Sequence, residues 1–235
     1  MKRVGGLLII ICLMAGVIPG LCHAQEDLTV VQSSCMVLVG ETETRVQCFA
    51  QLHNNTDKVV YMGEGFLELF NDQTVIADKV VARIWPEFIN PGEDGYVFDE
   101  VPFEHDADGQ PFIPNVTGIT YHMDTYLASR DYSNLPLDVS AVLEDDTDGR
   151  LTVRFTIVNR GKEDAWNPTL AFGLYTDGGS LIFTGGTGFE DICIPSGSTI
   201  EKKYYVGSDL INKWNEYGAK PAEVHVTCCY RNDTD

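Results

Sequence analysis

The chain carries almost none of the local marks of a catalyst. Its 235 residues hold no HExxH helix, no GxSxG elbow and no Walker or dinucleotide-type glycine pattern. That removes the motif-bearing metalloproteases, serine hydrolases and nucleotide enzymes, and leaves open a hydrolase assembled from residues distant in sequence. Positive charge is scarce too, with 16 Lys and Arg against 35 Asp and Glu and a net charge of -19. Such a surface repels nucleic-acid phosphates and anionic lipid, and it favours solubility, a cationic partner or a divalent cation. CxxC pairs, the usual zinc spacing, are absent. No apolar run reaches the roughly 20 residues of a membrane-spanning helix, because Gly16, Pro19 and Gly20 interrupt the one at the start.

That first stretch reads as a secretory leader over 1–24. Lys2 and Arg3 supply the positive start, 7–14 the apolar run and Cys22-His23-Ala24 the small residues at a cleavage site, so the mature chain is expected to begin at Gln25. Leu21 stands where a lipid-modified Cys22 would need a small residue, which disfavours a lipoprotein. The expected location is therefore outside the cell or in its envelope, without membrane insertion after cleavage. Five cysteines remain in that oxidising setting. Cys35 and Cys48 lie symmetrically about the turn 40–43, which sets them opposite each other in a hairpin and predicts a disulfide. Cys193 is expected to bond Cys228 or Cys229, leaving one thiol over.

What the sequence does contain is a repeat. Val46, Cys48, Ala50 and Leu52 alternate and end at Asn54; Leu151, Val153, Phe155 and Ile157 alternate and end at Asn159, an offset of about 105 residues. Leu67, Leu69, Phe70 and Asp72 fall opposite Phe172, Leu174, Tyr175 and Asp177, and Gly92 opposite Gly197. The same count puts Ser140 and Val153 where Cys35 and Cys48 stand, so the first disulfide is not part of the shared unit. A unit of this size is large enough to own a core, which makes these two domains rather than a solenoid.

Each half reads as short strands rich in β-branched and aromatic residues, bounded by Gly, Pro, Asn or Asp. Strands are predicted over 28–38, 45–53, 65–70, 74–77, 84–89, 95–98 and 119–127, and again over 137–143, 151–158, 169–175, 181–183, 191–194, 200–206 and 223–230. One helix is predicted, capped by Ser208, with Leu210, Ile211, Trp214 and Tyr217 on one face and Gly218 and Pro221 at its end. Its counterpart, 103–115, reads as a loop. The expected fold is all-β: two tandem immunoglobulin-like β-sandwich domains, 25–129 and 136–235, joined by a linker at 130–135.

The stretch Phe172-Gly173-Leu174-Tyr175-Thr176-Asp177 resembles the signature of FxLYD-type domains with one residue inserted before the acid. Leu67-Glu68-Leu69-Phe70-Asn71-Asp72 is a weaker copy, and Asn54, Asn159, Pro91-Gly92-Glu93 and Pro195-Ser196-Gly197 add to the likeness. The resemblance implies small immunoglobulin-like sandwiches of secreted or envelope-attached bacterial proteins, and no catalytic residues to carry over.

Few side chains invite chemistry, and no cofactor is implied. Asp106 and Asp108, and Asp145, Asp146 and Asp148, bring carboxylates together on two turns, as a calcium site requires, but Asp-Gly is ordinary turn chemistry and neither stretch has a full EF-hand spacing. His122 and Asp124 share a strand face without a paired nucleophile, and Gly185-Gly186-Thr187-Gly188 reads as a flexible loop. Trp85, Trp166 and Trp214 would serve a carbohydrate-binding surface if at least two were exposed on one face. Asn-x-Thr sequons stand at Asn54, Asn115 and Asn232. The expected function is that of a non-enzymatic binding protein with a protein or cell-wall glycan partner and no nucleic acid. A carbohydrate-binding module, a calcium-dependent adhesin and a hydrolase without a motif are the alternatives.

Overall fold

The computed structural model describes residues 27–81, 84–127, 134–145 and 150–231. The expected leader, Asp146, Asp148, Asn232 and most of the expected linker lie outside the described residues. The first half forms β1 (Leu28–Val39), β2 (Glu43–Asn54), β3 (Val60–Asn71), β4 (Thr74–Val80), β5 (Ile84–Trp85), β6 (Phe88–Ile89), β7 (Asp94–Glu104) and β8 (Gly118–Leu127). The second forms β9 (Asn134–Pro136), β10 (Asp138–Asp145), β11 (Leu151–Val158), β12 (Ala165–Trp166), β13 (Thr169–Tyr175), β14 (Leu181–Gly188), β15 (Cys193–Ile194), β16 (Thr199–Tyr205), the helix α1 (Ser208–Tyr217) and β17 (Glu223–Arg231).

Over the described residues the protein is all-β with one short helix, built as two tandem antiparallel sandwiches. In the first, a sheet ordered β1-β2-β7-β5 faces one ordered β4-β3-β6, with β8 also paired to β3. In the second, β10-β11-β16 faces β14-β13-β17-β9, and β12 pairs with β15. Alternation explains the layering. Val46, Cys48, Ala50 and Leu52 of β2 are buried with Val97 and Val101 of β7 inside the first sandwich, while Val153, Phe155 and Ile157 of β11 are buried with Phe172 and Leu174 of β13 inside the second. Asp99 shares the inner face of β7; its buried carboxylate meets the Lys79 ammonium at 2.6 Å, as a charge at that depth requires.

The repeat holds down to single hydrogen bonds. Asn54 is 1% exposed, and its Nδ2 donates to the carbonyls of Lys58 at 2.7 Å and Ile89 at 2.8 Å. Asn159 is 0% exposed, and its Nδ2 donates to the carbonyls of Glu163 and Ile194, both at 2.8 Å. The Oδ1 atoms accept from the backbone of Thr56 and of Gly161, and the Asn54 and Asn159 carbonyls accept from Gly92 and Gly197. Both glycines are left-handed, at φ 71° and 75°, a conformation that disfavours other residues. A register shift recurs as well, at Leu69/Phe70 and at Leu174/Tyr175. Each position lies about 105 residues from its counterpart.

Several expectations need correction. Ser208 does not cap α1: Gly207 occupies the cap position and no side chain bonds there, while the left-handed Gly218 closes the other end as expected. Asn134 and Leu135, expected in the linker, pair with Arg231 and Tyr230 as the edge strand β9. Ser140 faces Thr156, and it is Leu143 that faces Val153, because the second hairpin is the shorter beyond this point: nine residues lie between Leu143 and Val153 and twelve between Cys35 and Cys48. The glycine run 185–188 is no loop; it is strand, paired along β13. Asn54 is closed to glycosylation because its amide nitrogen is already bonded to two carbonyls in the interior.

Candidate functional site

The two sandwiches do not merely follow one another. Strand β14 crosses the outer face of β1-β2-β7-β5, touching all four strands. That face would meet water in an isolated domain, yet it presents Phe49, Tyr96 and Phe98. Phe49 is 1% exposed, with its ring 5.8 Å from Phe98 and 5.5 Å from Phe183 of β14, so it belongs to the core of the second sandwich. Gly186 allows the closest approach: a Cβ there would stand 2.2 Å from Cγ of Trp85.

Polar groups cross the seam beside these rings. The Tyr175 hydroxyl donates to Oε1 of Gln51 at 2.8 Å, Gln51 Nε2 donates to Asp94 at 2.7 Å, and the other Asp94 oxygen bonds His53 Nδ1 at 2.7 Å. Thr184 donates to the Val97 carbonyl at 2.5 Å, and Gln32 bonds the backbone of Gly179 and Leu181. Burial pushes the Tyr96 phenol up to about 12 and raises that of Tyr175 further, the charge of Tyr96 adding to the effect.

At the rim of the seam the halves enclose a cleft of about 280 Å3. The first sandwich contributes Glu87 and Phe88; the second contributes Trp166, Asn167 and Arg231, with the Cys229 thiol also lining the space. Alternation along β12 buries Ala165 and turns Trp166 outward, 57% exposed. Its support is fixed on both sides. Asn167 holds φ 46°, its backbone N–H donates to Ile192 at 2.9 Å, and its Oδ1 accepts from the Asp191 backbone at 2.9 Å. Across the cleft, the Asn134 amide donates to the Phe88 carbonyl, and the Arg231 guanidinium lies 5.7 Å from the centre of the Phe88 ring. A second groove, about 570 Å3, separates the tip of the β1–β2 hairpin from α1. There Arg45 pairs with Glu43 and Glu100.

The residues singled out in the sequence fall in different places. Cys35 and Cys48 are directly opposite in the β1–β2 register, and burial, then the charges of Cys35 and Asp99, raise the Cys48 thiol well above its ordinary value. Cys228 turns into the second core, as alternation requires. Cys229 faces the other way and is nevertheless 4% exposed, because the first sandwich covers that face; burial pushes its thiol up to about 12. Cys193 sits opposite Trp166 on the small β12–β15 sheet. Asp106 Oδ1 accepts the backbone N–H groups of Asp108 and Gln110 at 2.9 and 2.8 Å, a self-contained turn. Asp145 ends β10. His122 does not engage Asp124; its Nε2 meets Glu68 at 2.8 Å and its ring stacks on Phe66. The three tryptophans form no common platform: Trp214 is 2% exposed in the core and Trp85 lies against Gly186. Phe88 and Arg231 were missed, and only their aromatic and cationic character beside strand ends signalled them.

No protein-family model matches the chain, and no curated protein does. Among solved structures, procruciferin, the 11S globulin from Brassica napus, aligns over 87% of this chain and 84% of its own, at 12% identity and a TM-score of 0.16, too low to speak for a common fold.

Proposed function

We propose that the chain is a secreted or cell-envelope-associated binding protein without catalytic activity, and that it takes its ligand in the cleft where the sandwiches meet. The observation that carries this is the exposed Trp166 ring, held on a fixed support in a cavity walled by both halves. A large apolar side chain left open beside a few convergent polar groups is the ordinary make-up of a ligand site. The FxLYD-type resemblance and the leader belong to the same proposal, as do a Cys35–Cys48 bridge and a bond from Cys193 to Cys228 or Cys229. The partner is a protein or a cell-wall glycan. The experiment is retention of solubilised wall fragments and envelope proteins by the immobilised mature chain. Retention lost in Trp166→Ala supports the cleft, and retention that survives the substitution refutes it. Peptide mapping of non-reduced material reads the cysteine pairs directly.

A hydrolase is the second reading, favoured by the His53–Asp94 pair at 2.7 Å, in which a carboxylate orients an imidazole. Turnover of any ester, amide or glycoside by the purified chain, abolished in His53→Ala, would replace the binding reading with this one.

A further inference from the structure

The sugar-binding surface expected from three tryptophans is not formed, but the cleft sets the one widely exposed indole, that of Trp166, in a common cavity with the ring of Phe88 from the other half. We propose that this cleft binds a neutral saccharide of one or two rings, with Trp166 and Phe88 against its C–H faces and Glu87, Asn167 and Arg231 on its hydroxyls. The assignment rests on the cleft being the ligand site.

Four observations favour that ligand class. The polar set mixes an acceptor, Glu87, with donors from Arg231 and from the Asn167 amide nitrogen, the Asn167 oxygen being held by Asp191. Sugar hydroxyls also donate and accept, so all three find partners on one ring edge, whereas a purely anionic or cationic ligand would leave one of them opposed. The net charge of -19 disfavours an anionic polymer. The volume, about 280 Å3, falls just under the usual range of ligand sites, which starts near 300 Å3, and so suits a small ligand. An extended peptide finds little to pair with there: β17, which brings Cys229 and Arg231 to the cleft, already has β13 on one side and β9 on the other.

Affinity also has a fixed support to draw on. Asn167, bonded to Ile192 and Asp191, locks the chain beside Trp166, and the Asn134 amide holds the Phe88 carbonyl, so the backbone that carries each ring is already ordered before binding.

The test is calorimetric titration of the mature full-length chain with glucose, galactose, mannose, N-acetylglucosamine and their β1,4- and α1,4-linked disaccharides at millimolar concentration. At least one is expected to bind, with Trp166→Ala weakening it about tenfold or more, the loss of one stacked ring. Phe88→Ala and Glu87→Gln should weaken it less, and Glu87→Gln and Trp166→Ala should melt with the wild type, because both residues are exposed. Should Phe88→Ala lower the melting temperature, Glu87→Gln and Trp166→Ala carry the result alone. A blank panel, or binding unchanged in Trp166→Ala, overturns the saccharide assignment. A random peptide library is the parallel arm. Peptides that bind only when Trp166 is present, with every sugar blank, overturn the saccharide and keep the cleft as the ligand site; no Trp166-dependent binding in either arm overturns both.

Discussion

Replacing Phe49 with alanine isolates what joins the two halves. The side chain belongs to β2 of the first sandwich but is 1% exposed against Phe98 and Phe183, with Phe183 itself in the core of the second. Truncating a buried phenylalanine costs about 3–5 kcal/mol in transfer and cavity terms. Total stability for such a chain is about 5–15 kcal/mol, so the loss is a large fraction. At roughly 2–4 °C per kcal/mol for a chain of this size, the melting temperature should fall by roughly 6–20 °C. Position distinguishes this change from a simple core defect. Phe155 is equally buried but lies wholly inside the second sandwich. Phe155→Ala should therefore lower the second half alone, whereas Phe49→Ala should uncouple the halves and broaden or split the calorimetric transition. Differential scanning calorimetry, with urea titration followed by tryptophan fluorescence, reads both effects. A loss below about 1 kcal/mol for Phe49→Ala would refute the shared core, since that is the range of ordinary surface changes.

The paired asparagines offer a symmetric test: Asn54→Ala and Asn159→Ala each strand one buried carbonyl, that of Ile89 and that of Ile194, and both should cost about 1–3 kcal/mol in urea unfolding. If one is neutral, the bonds are not equivalent in the two halves. Alkaline stability should fall as well. The folded Tyr96 and Tyr175 phenols are raised above an unfolded value of about 10, so their contribution is complete below that pH and is lost as pH climbs towards the Tyr96 value of about 12. Urea midpoints at pH 8, 10 and 11 should decline, less steeply in Tyr175→Phe; equal midpoints would contradict the burial. Calcium at millimolar concentration should raise the melting temperature no more than magnesium, because Asp106 Oδ1 is already taken by two backbone N–H groups. A calcium-selective rise lost in Asp106→Ala would overturn that.

Most strands and both sandwiches were legible because alternation of apolar side chains is a local signal. Strands β11 and β13 match their expected ends, and Asn54 and Asn159 stood out as fixed points of the repeat before their bonds were known. The short β9 and β12 were not legible, since two or three residues give no period to read. The seam was hidden for another reason. Gln47, Phe49 and Gln51 alternate as an ordinary outer face, and only contact with a strand more than a hundred residues away makes that face interior. Phe49, Tyr96 and Phe98 on one outer face were the available warning. The glycine run 185–188 was the other: its bare backbone reads as flexibility when the facing Trp85 is unknown, and as clearance once it is seen.

The seam has a further consequence for how the chain is made. Translation completes the first sandwich before β14 exists, at about 5–20 residues per second, so Phe49 and Tyr96 remain uncovered for roughly 3–12 s. During that interval the nascent half carries on its surface what will become its interior. Its safe passage depends on a holding factor or on the second half arriving in time, and slowing synthesis between Leu127 and β14 should raise the yield of aggregated product.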